Sequence, residues 1–209
     1  MSIWTSSAIF GAIALALAGC SSLGIAAATG PRAQTVTTGG MAVTLAAPDG
    51  FCIDRRASRP RANPPVVLFV PCGAEAPRRP AVLTATASAA VAGQSVAGSG
   101  AALQNFLRSE AGRAALSRDG RAQSVAVIDS VIRDGALIVH LRDRSPPPAP
   151  GLSPTYRRAF LNVGDALVSI AVLGVDADPM GNAQSRALLA AGIAAIRAAN
   201  AAPVLAEAG

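Results

Sequence analysis

Two turn pairs, Asp134-Gly135 and Gly164-Asp165, cut the second half of the chain into runs of alternating apolar residues. Asp-Gly between two such runs is a strong local hairpin signal, because the tight turn that matches strand twist needs positive φ at both central residues. The flanking runs, Val125 to Arg133 and Ala136 to Asp143, therefore read as paired strands. After the stiff SPPPAPGLSP loop, Tyr156 to Val163 and Ala166 to Val175 read as a second pair around Gly164-Asp165. Together they predict a four-stranded antiparallel meander, which needs helices or another sheet to cover its apolar faces.

The rest of the chain supplies such covers. Met41 to Ala47 alternates and reads as a strand, Pro48-Asp49-Gly50 as a turn, and Phe51 to Asp54 leads into an Arg/Pro loop ending at Asn63-Pro64-Pro65. Val66 to Val70 is a continuous apolar run rich in β-branched residues and reads as a buried strand, and Val82 to Ser88 is a further strand candidate. Ala101 to Arg118 reads as one helix, with Leu103, Phe106, Leu107 and Ala114 on one face, Ser99 as its cap and Gly120 at its end. Gly112 in its middle costs up to about 1 kcal/mol against alanine. Asp178-Pro179 predicts an N-cap and first-turn proline for a last helix from about Ala183 to Ala199, with Leu188, Leu189, Gly192, Ile193 and Ile196 as its apolar stripe. The expected architecture is one α+β domain over residues 41–200, an antiparallel sheet with two main helices packed on it, followed by a short tail at 201–209.

The N-terminus carries the address. Residues 1–31 contain no charged side chain, and Ile9 to Ala18 is apolar throughout. Ten residues rise about 15 Å as a helix, half of a ~30 Å hydrocarbon core, so the run is too short to span and suits the h-region of a signal peptide. Leu17-Ala18-Gly19-Cys20 then resembles a bacterial lipobox. That resemblance implies cleavage before Cys20, removing residues 1–19, and acylation of the Cys20 thiol. The n-region MSIWTSS departs from the pattern in having no Arg or Lys. One acyl chain holds a protein marginally and several hold it stably. Ser21, where inner-membrane lipoproteins tend to have Asp, favours the outer membrane facing the periplasm. The competing reading is ordinary secretion, with cleavage after Ala26-Ala27-Ala28 and a soluble periplasmic product. Residues 21–40, small and polar, read as a tether between anchor and domain.

The order of elements in the domain broadly resembles PsbP-like domains. The stretches APDGFCID, SGAALQNFLRSEAGRAALSRDGR and PGLSPTYRRAFL are similar to a family of uncharacterised bacterial exported proteins, a likeness that implies no activity.

Composition narrows the function classes. The net charge of +6 comes from 18 basic and 12 acidic residues, and every basic residue is arginine. Residues 32–80 hold seven Arg against three acids, and the excess is concentrated in Arg55, Arg56, Arg59 and Arg61, with Arg78 and Arg79 beyond. Trp4 and Tyr156 are the single Trp and Tyr, too few aromatic platforms for a nucleic-acid binder. With Cys20 assigned to lipid, Cys52 and Cys72 remain. An oxidising compartment makes a disulfide their simplest state, two buried thiols being the alternative. One histidine and no CxxC argue against structural zinc, and no cofactor motif is present.

His140 is the first candidate for acid–base work. No serine lies in a G-x-S-x-G elbow, so its plain reading is a structural or surface histidine, against an envelope hydrolase that uses it. Gly98-Ser99-Gly100 precedes a helix but lacks P-loop spacing and reads as a flexible cap rather than an anion cradle. Asp176 and Asp178 have no EF-hand spacing and read as capping residues. The arginine loop is read either as a solvated loop or as a contact for anionic lipid, lipopolysaccharide phosphates or an acidic polymer, since guanidinium groups grip phosphate and carboxylate in bidentate fashion. The leading expectation is a membrane-tethered, non-catalytic binding or scaffolding module. A carrier of an apolar ligand between sheet and helix is a further possibility, whose sign is a sizeable dry cavity.

Overall fold

The computed structural model describes residues 30–77, 80–90, 95–147 and 150–201. The predicted leader, Cys20, Ala26 to Ala28, Arg78, Arg79 and most of the predicted tail lie outside them.

The strands are β1 (Ala33–Thr38), β2 (Met41–Ala46), β3 (Phe51–Ile53), β4 (Val66–Pro71), β5 (Ala81–Ala89), β6 (Val125–Arg133), β7 (Ala136–Asp143), β8 (Thr155–Val163) and β9 (Ala166–Gly174). The helices are α1 (Gly100–Arg108), α2 (Glu110–Leu116) and α3 (Asn182–Ala199). β1 and β2 form a two-stranded sheet, and the other strands form a seven-stranded antiparallel sheet in the order β3-β4-β5-β9-β8-β7-β6. The fold is α+β. The expected meander is present as β6 to β9, and the sheet extends beyond it because β5 pairs along its whole length with β9, from Ala81 opposite Gly174 to Ala89 opposite Ala166. At the β6–β7 turn both Asp134 (φ 49°) and Gly135 (φ 68°) are left-handed, as the tight hairpin demands.

The central strands bury both faces. On one, Leu83, Ala85, Ile170, Val172 and Leu161 pack under Leu189, Ile193 and Ile196 of α3 and Val36, Val43 and Leu45 of the β1–β2 hairpin. On the other, Leu137, Val139, Leu141 and Leu173 pack under Leu107 of α1 and Leu116 of α2. β6 is an edge strand with a bulge at Ile128, whose side chain is 54% exposed. Among the described residues no helix is long and apolar enough to cross a membrane.

Four expectations change. The segment read as a tether to residue 40 contains β1, which pairs with β2 from Ala33 opposite Ala46 to Thr38 opposite Met41. Its alternate Thr and Val residues place Val36 in the core. The helix expected over Ala101 to Arg118 is two helices that meet at Ser109. Ser109 ends α1 and begins α2, its Oγ donating to Phe106 O at 2.6 Å and accepting from Gly112 N at 3.2 Å. Phe106 consequently leaves the buried face and is 46% exposed. Ser99 precedes α1 without a side-chain capping bond. Finally, α3 starts at Asn182 behind Gly181, not behind Asp178-Pro179. Asp178 N–H instead closes a turn on Val175 O at 3.2 Å, which delays the helix.

Candidate functional site

Cys52 on β3 and Cys72 after β4 are joined in a disulfide, with Cα atoms 5.7 Å apart. The bridge closes the hairpin that carries the arginine loop. Its separation of 20 residues corresponds to about 3 kcal/mol in the loop-entropy description. Replacing both cysteines by alanine is expected to lower the unfolding free energy measured in urea by that amount, with a steeper slope because the unfolded chain is no longer cross-linked, and the same loss is expected on reducing the native protein.

Between the strands of that hairpin the chain is tied down residue by residue. Asp54 Oδ1 accepts from the N–H groups of Arg56 (2.8 Å) and Ala57 (3.1 Å). Buried Ser58 accepts Leu68 N–H at 2.9 Å, and Arg59 and Val66 exchange two backbone bonds of 2.7 and 3.1 Å. The four predicted arginines are brought together but do not behave alike. The Arg59 guanidinium turns back on its own loop, donating to Arg56 O (2.6 Å) and Ser58 O (2.9 Å). Arg55, Arg56 and Arg61 are exposed, and among the described residues no carboxylate pairs with them. Arg59 and Arg61 also line a broad recess shared with residues Gln34 to Thr37 of β1.

The described chain enters beside this loop. A Cβ on Gly30 would lie 3.1 Å from Cys52 Cβ, and Pro31 O accepts Ile53 N–H at 2.8 Å. Entry point and arginine loop thus share the β3 edge of the sheet.

His140 sits on β7 with Asp129 of β6 and Arg157 of β8 opposite it. Among the described residues no serine hydroxyl bonds to it. Burial, then the Arg157 cation, pushes its pKa below the usual histidine value against the smaller opposing pull of Asp129, which favours the neutral imidazole. Arg157 is buried and ties β8 to the start of α3, donating to Ser185 Oγ (3.1 Å) and Asn182 Oδ1 (3.3 Å). Its own pKa is lowered by burial and by Arg186. The Gly98-Ser99-Gly100 N–H groups are partly used internally, Gly98 on Ser95 Oγ (2.9 Å) and Ser99 on Ser95 O (2.8 Å). Among the described residues no three His, Cys, Asp or Glu groups cluster to hold a metal ion.

Two arrangements have no local signature in the sequence. One is a charged cluster at the end of β7. Fully buried Asp143 meets Arg118 (Nη1 to Oδ2, 3.3 Å), and Arg118 and Arg158 lie over the ring of Tyr156 at 5.8 and 5.9 Å from its centroid. Burial raises the Tyr156 pKa above its ordinary value. Nearby Asp119 accepts from the hydroxyls of Ser117 and Ser124, which hold its carboxyl well below the usual range. The contributing residues sit in separate segments, each reading as an ordinary strand, turn or helix end.

The other is a groove of about 490 Å³ between α1 and the sheet, walled by Val96, Ala102, Leu103, Phe106 and Leu167. The exposed Phe106 stands on its rim. The only signal in the sequence is the run of apolar residues along α1, which periodicity alone assigns to the core.

No family model matches this chain, and no curated protein or solved structure matches it.

Proposed function

We propose that the protein is a lipid-anchored envelope protein, held through Cys20 on the periplasmic side of the outer membrane, whose domain binds anionic headgroups without catalysing a reaction. The observation that carries this reading is the shared edge. Gly30 enters beside Cys52, and the arginine loop leaves the next strand residue but one. The ten residues from Cys20 to Gly30 reach at most roughly 35 Å when fully extended. Such a connection lets the β3 edge reach the surface that holds the anchor. Juxtamembrane cations contribute about 1 kcal/mol each near an anionic surface. Arg55, Arg56 and Arg61 then supply about 3 kcal/mol, or roughly a hundredfold in partitioning. The disulfide and the Asp54 and Ser58 bonds hold the loop in shape, which limits the ordering cost of contact.

The test has two arms. Wild-type cells fed labelled palmitate are expected to label the protein, and the Cys20→Ala chain is expected to stay unlabelled and to appear in the soluble periplasm. Labelling that survives the substitution defeats the anchor. In the second arm the Cys20→Ala chain is added to phosphatidylglycerol-containing vesicles, with and without Arg55→Ser, Arg56→Ser and Arg61→Ser. The triple variant is expected to adsorb about a hundredfold more weakly at low salt, with the difference shrinking as salt rises. Equal adsorption defeats the headgroup contact.

A further inference from the structure

We infer that the outer edge of β1, facing the recess it shares with the arginine loop, receives an extended acidic peptide as a third strand of the β1–β2 sheet. The hydrogen-bond pattern shows which backbone groups are on offer. Ala47 N–H donates to Arg32 O at 2.8 Å, directly before the ladder that runs from Ala33 opposite Ala46. In an antiparallel ladder alternate residues bond the partner, and those between turn their N–H and C=O away from it. Gln34, Val36 and Thr38 therefore bond β2, and Ala33, Thr35 and Thr37 point outward. Pro31 O, outward by the same count, accepts Ile53 N–H of β3 at 2.8 Å. Thr44, opposite Thr35, turns its groups to the far edge of β2. There the Asn200 side chain takes both, accepting Thr44 N–H at 2.9 Å and donating to Thr44 O at 2.7 Å. One edge of the hairpin is thus closed by a side-chain amide that imitates a strand. On the other edge, among the described residues, Thr35 O receives the Gln34 amide at 2.8 Å, and no backbone group outside the hairpin bonds Thr35 or Thr37.

The recess lies along this open edge. Four consecutive residues, Gln34 to Thr37, line it, whereas a recess over one face of a strand would meet alternate residues only. Four residues of strand run about 13 Å at 3.3 Å each. Across from them stand Ser58 to Ala62, and the space between is about 880 Å³. A row of outward N–H and C=O groups recognises another backbone, as in strand addition. A phosphate, an acceptor alone, would leave the C=O groups unmet. The far wall then chooses among strands. Arg59 and Arg61 line it, and among the described residues neither is in an ion pair with a carboxylate. Arg59 donates to two carbonyls of its own loop but keeps its charge. The complement is a strand that carries carboxylates. A second copy of this chain is the poorer occupant, since its β1 comes with the same loop on the same edge and sets arginines against arginines. The inference stands on the strand edge and the recess, not on the headgroup contact proposed above, with which it shares Arg61.

The experiment titrates the full chain carrying Cys20→Ala into a dye-labelled peptide of four Val-Glu repeats, followed by fluorescence anisotropy, with four Val-Lys repeats as the control. The acidic peptide is expected to saturate one site, with an affinity that falls as salt rises, and the basic peptide to show no binding. Thr37 is exposed and its N–H points outward, so Thr37→Pro removes a donor from the recess edge and none from the ladder with β2. Proline is tolerated at such edge positions. This variant is expected to bind the acidic peptide at least tenfold more weakly. Ala42→Pro makes the matching change opposite Thr37, on the far edge of β2, and is expected to leave binding unchanged. Arg61→Glu, at an exposed loop position, leaves the strand itself alone; it is expected to weaken the acidic peptide at least tenfold and to admit the basic one. Thr37→Pro is expected to adsorb to phosphatidylglycerol-containing vesicles like its parent chain, so this inference and the headgroup contact fail separately. Absence of saturable binding, equal binding of the two peptides, affinity that survives Thr37→Pro or Arg61→Glu, equal weakening in Ala42→Pro, or a dimer of the chain in sedimentation that Thr37→Pro dissolves overturns the proposal.

Discussion

Replacing Gly112 by alanine is expected to destabilise the protein by about 3 kcal/mol or more, placing it among the severe single substitutions. An exposed glycine in the interior of a single long helix would behave in the opposite way. Alanine there stabilises by roughly 0.4–1 kcal/mol, through helix propensity and a less disordered unfolded chain. Gly112 is instead buried where the chain folds back from α1 into α2, and a Cβ built on it would lie 1.9 Å from Phe106 O and 2.6 Å from Leu107 Cα. Both obstacles are backbone, so no rotamer change relieves them. The joint would have to open, which breaks the Ser109 bonds and moves Leu107 and Leu116, the two residues that seat the helical pair on the sheet. Urea denaturation of the Gly112→Ala chain measures the sign directly. A midpoint above that of the wild type would mean one continuous helix.

The second large effect is expected at Arg118. Its side chain donates to Pro146 O (3.2 Å), Asp143 O (3.2 Å) and Ser145 O (2.8 Å), and also faces the Asp143 carboxylate. One guanidinium thus ties the end of α2 to the end of β7 and to the loop beyond it. Arg118→Met keeps much of the length and removes the charge. It leaves a carboxylate with 0% exposure without its cation, and three carbonyls without this donor. Breaking a buried pair from one side costs about 3–5 kcal/mol, mostly because the remaining charge is stranded. The Arg118→Met, Asp143→Asn chain is expected to be less destabilised than the sum of the two single changes, with a coupling of about 1–3 kcal/mol. Strict additivity in that cycle would show that the two groups do not act as a pair.

Why some of this can be read from residues alone, and some cannot, follows from the range of the interactions. β6 and β7 begin and end where alternation and the Asp134-Gly135 turn place them, because hairpin pairing is local. β8 and β9 differ from expectation by one residue at an end. The strand β1 is concealed by its composition: AQTVTT looks like linker until β2 is seen to pair with it. The division between α1 and α2 turns on the absence of one Cβ at Gly112, and helix periodicity does not register a missing atom. Both cysteines and the clustering of the arginines are plain in the sequence. That Arg59 serves the loop while Arg55, Arg56 and Arg61 face outward depends on which carbonyls lie within reach. The groove joins residues of α1, the segment before it and the adjoining ends of β8 and β9, so it exists only once the sheet has brought them together.

The pairing of β5 with β9 has a consequence for when the domain can form. A chain emerging from its N-terminus releases β3, β4 and β5 early, yet their inner neighbour arrives only with Gly174, after the whole of α1, α2 and β6 to β8. Contacts so distant along the chain are slow to close. Until then Leu83, Ala85 and Ala87 lack half of their cover, so the native sheet is a late, nearly full-length event and a fragment ending before β9 is left with an unfinished edge.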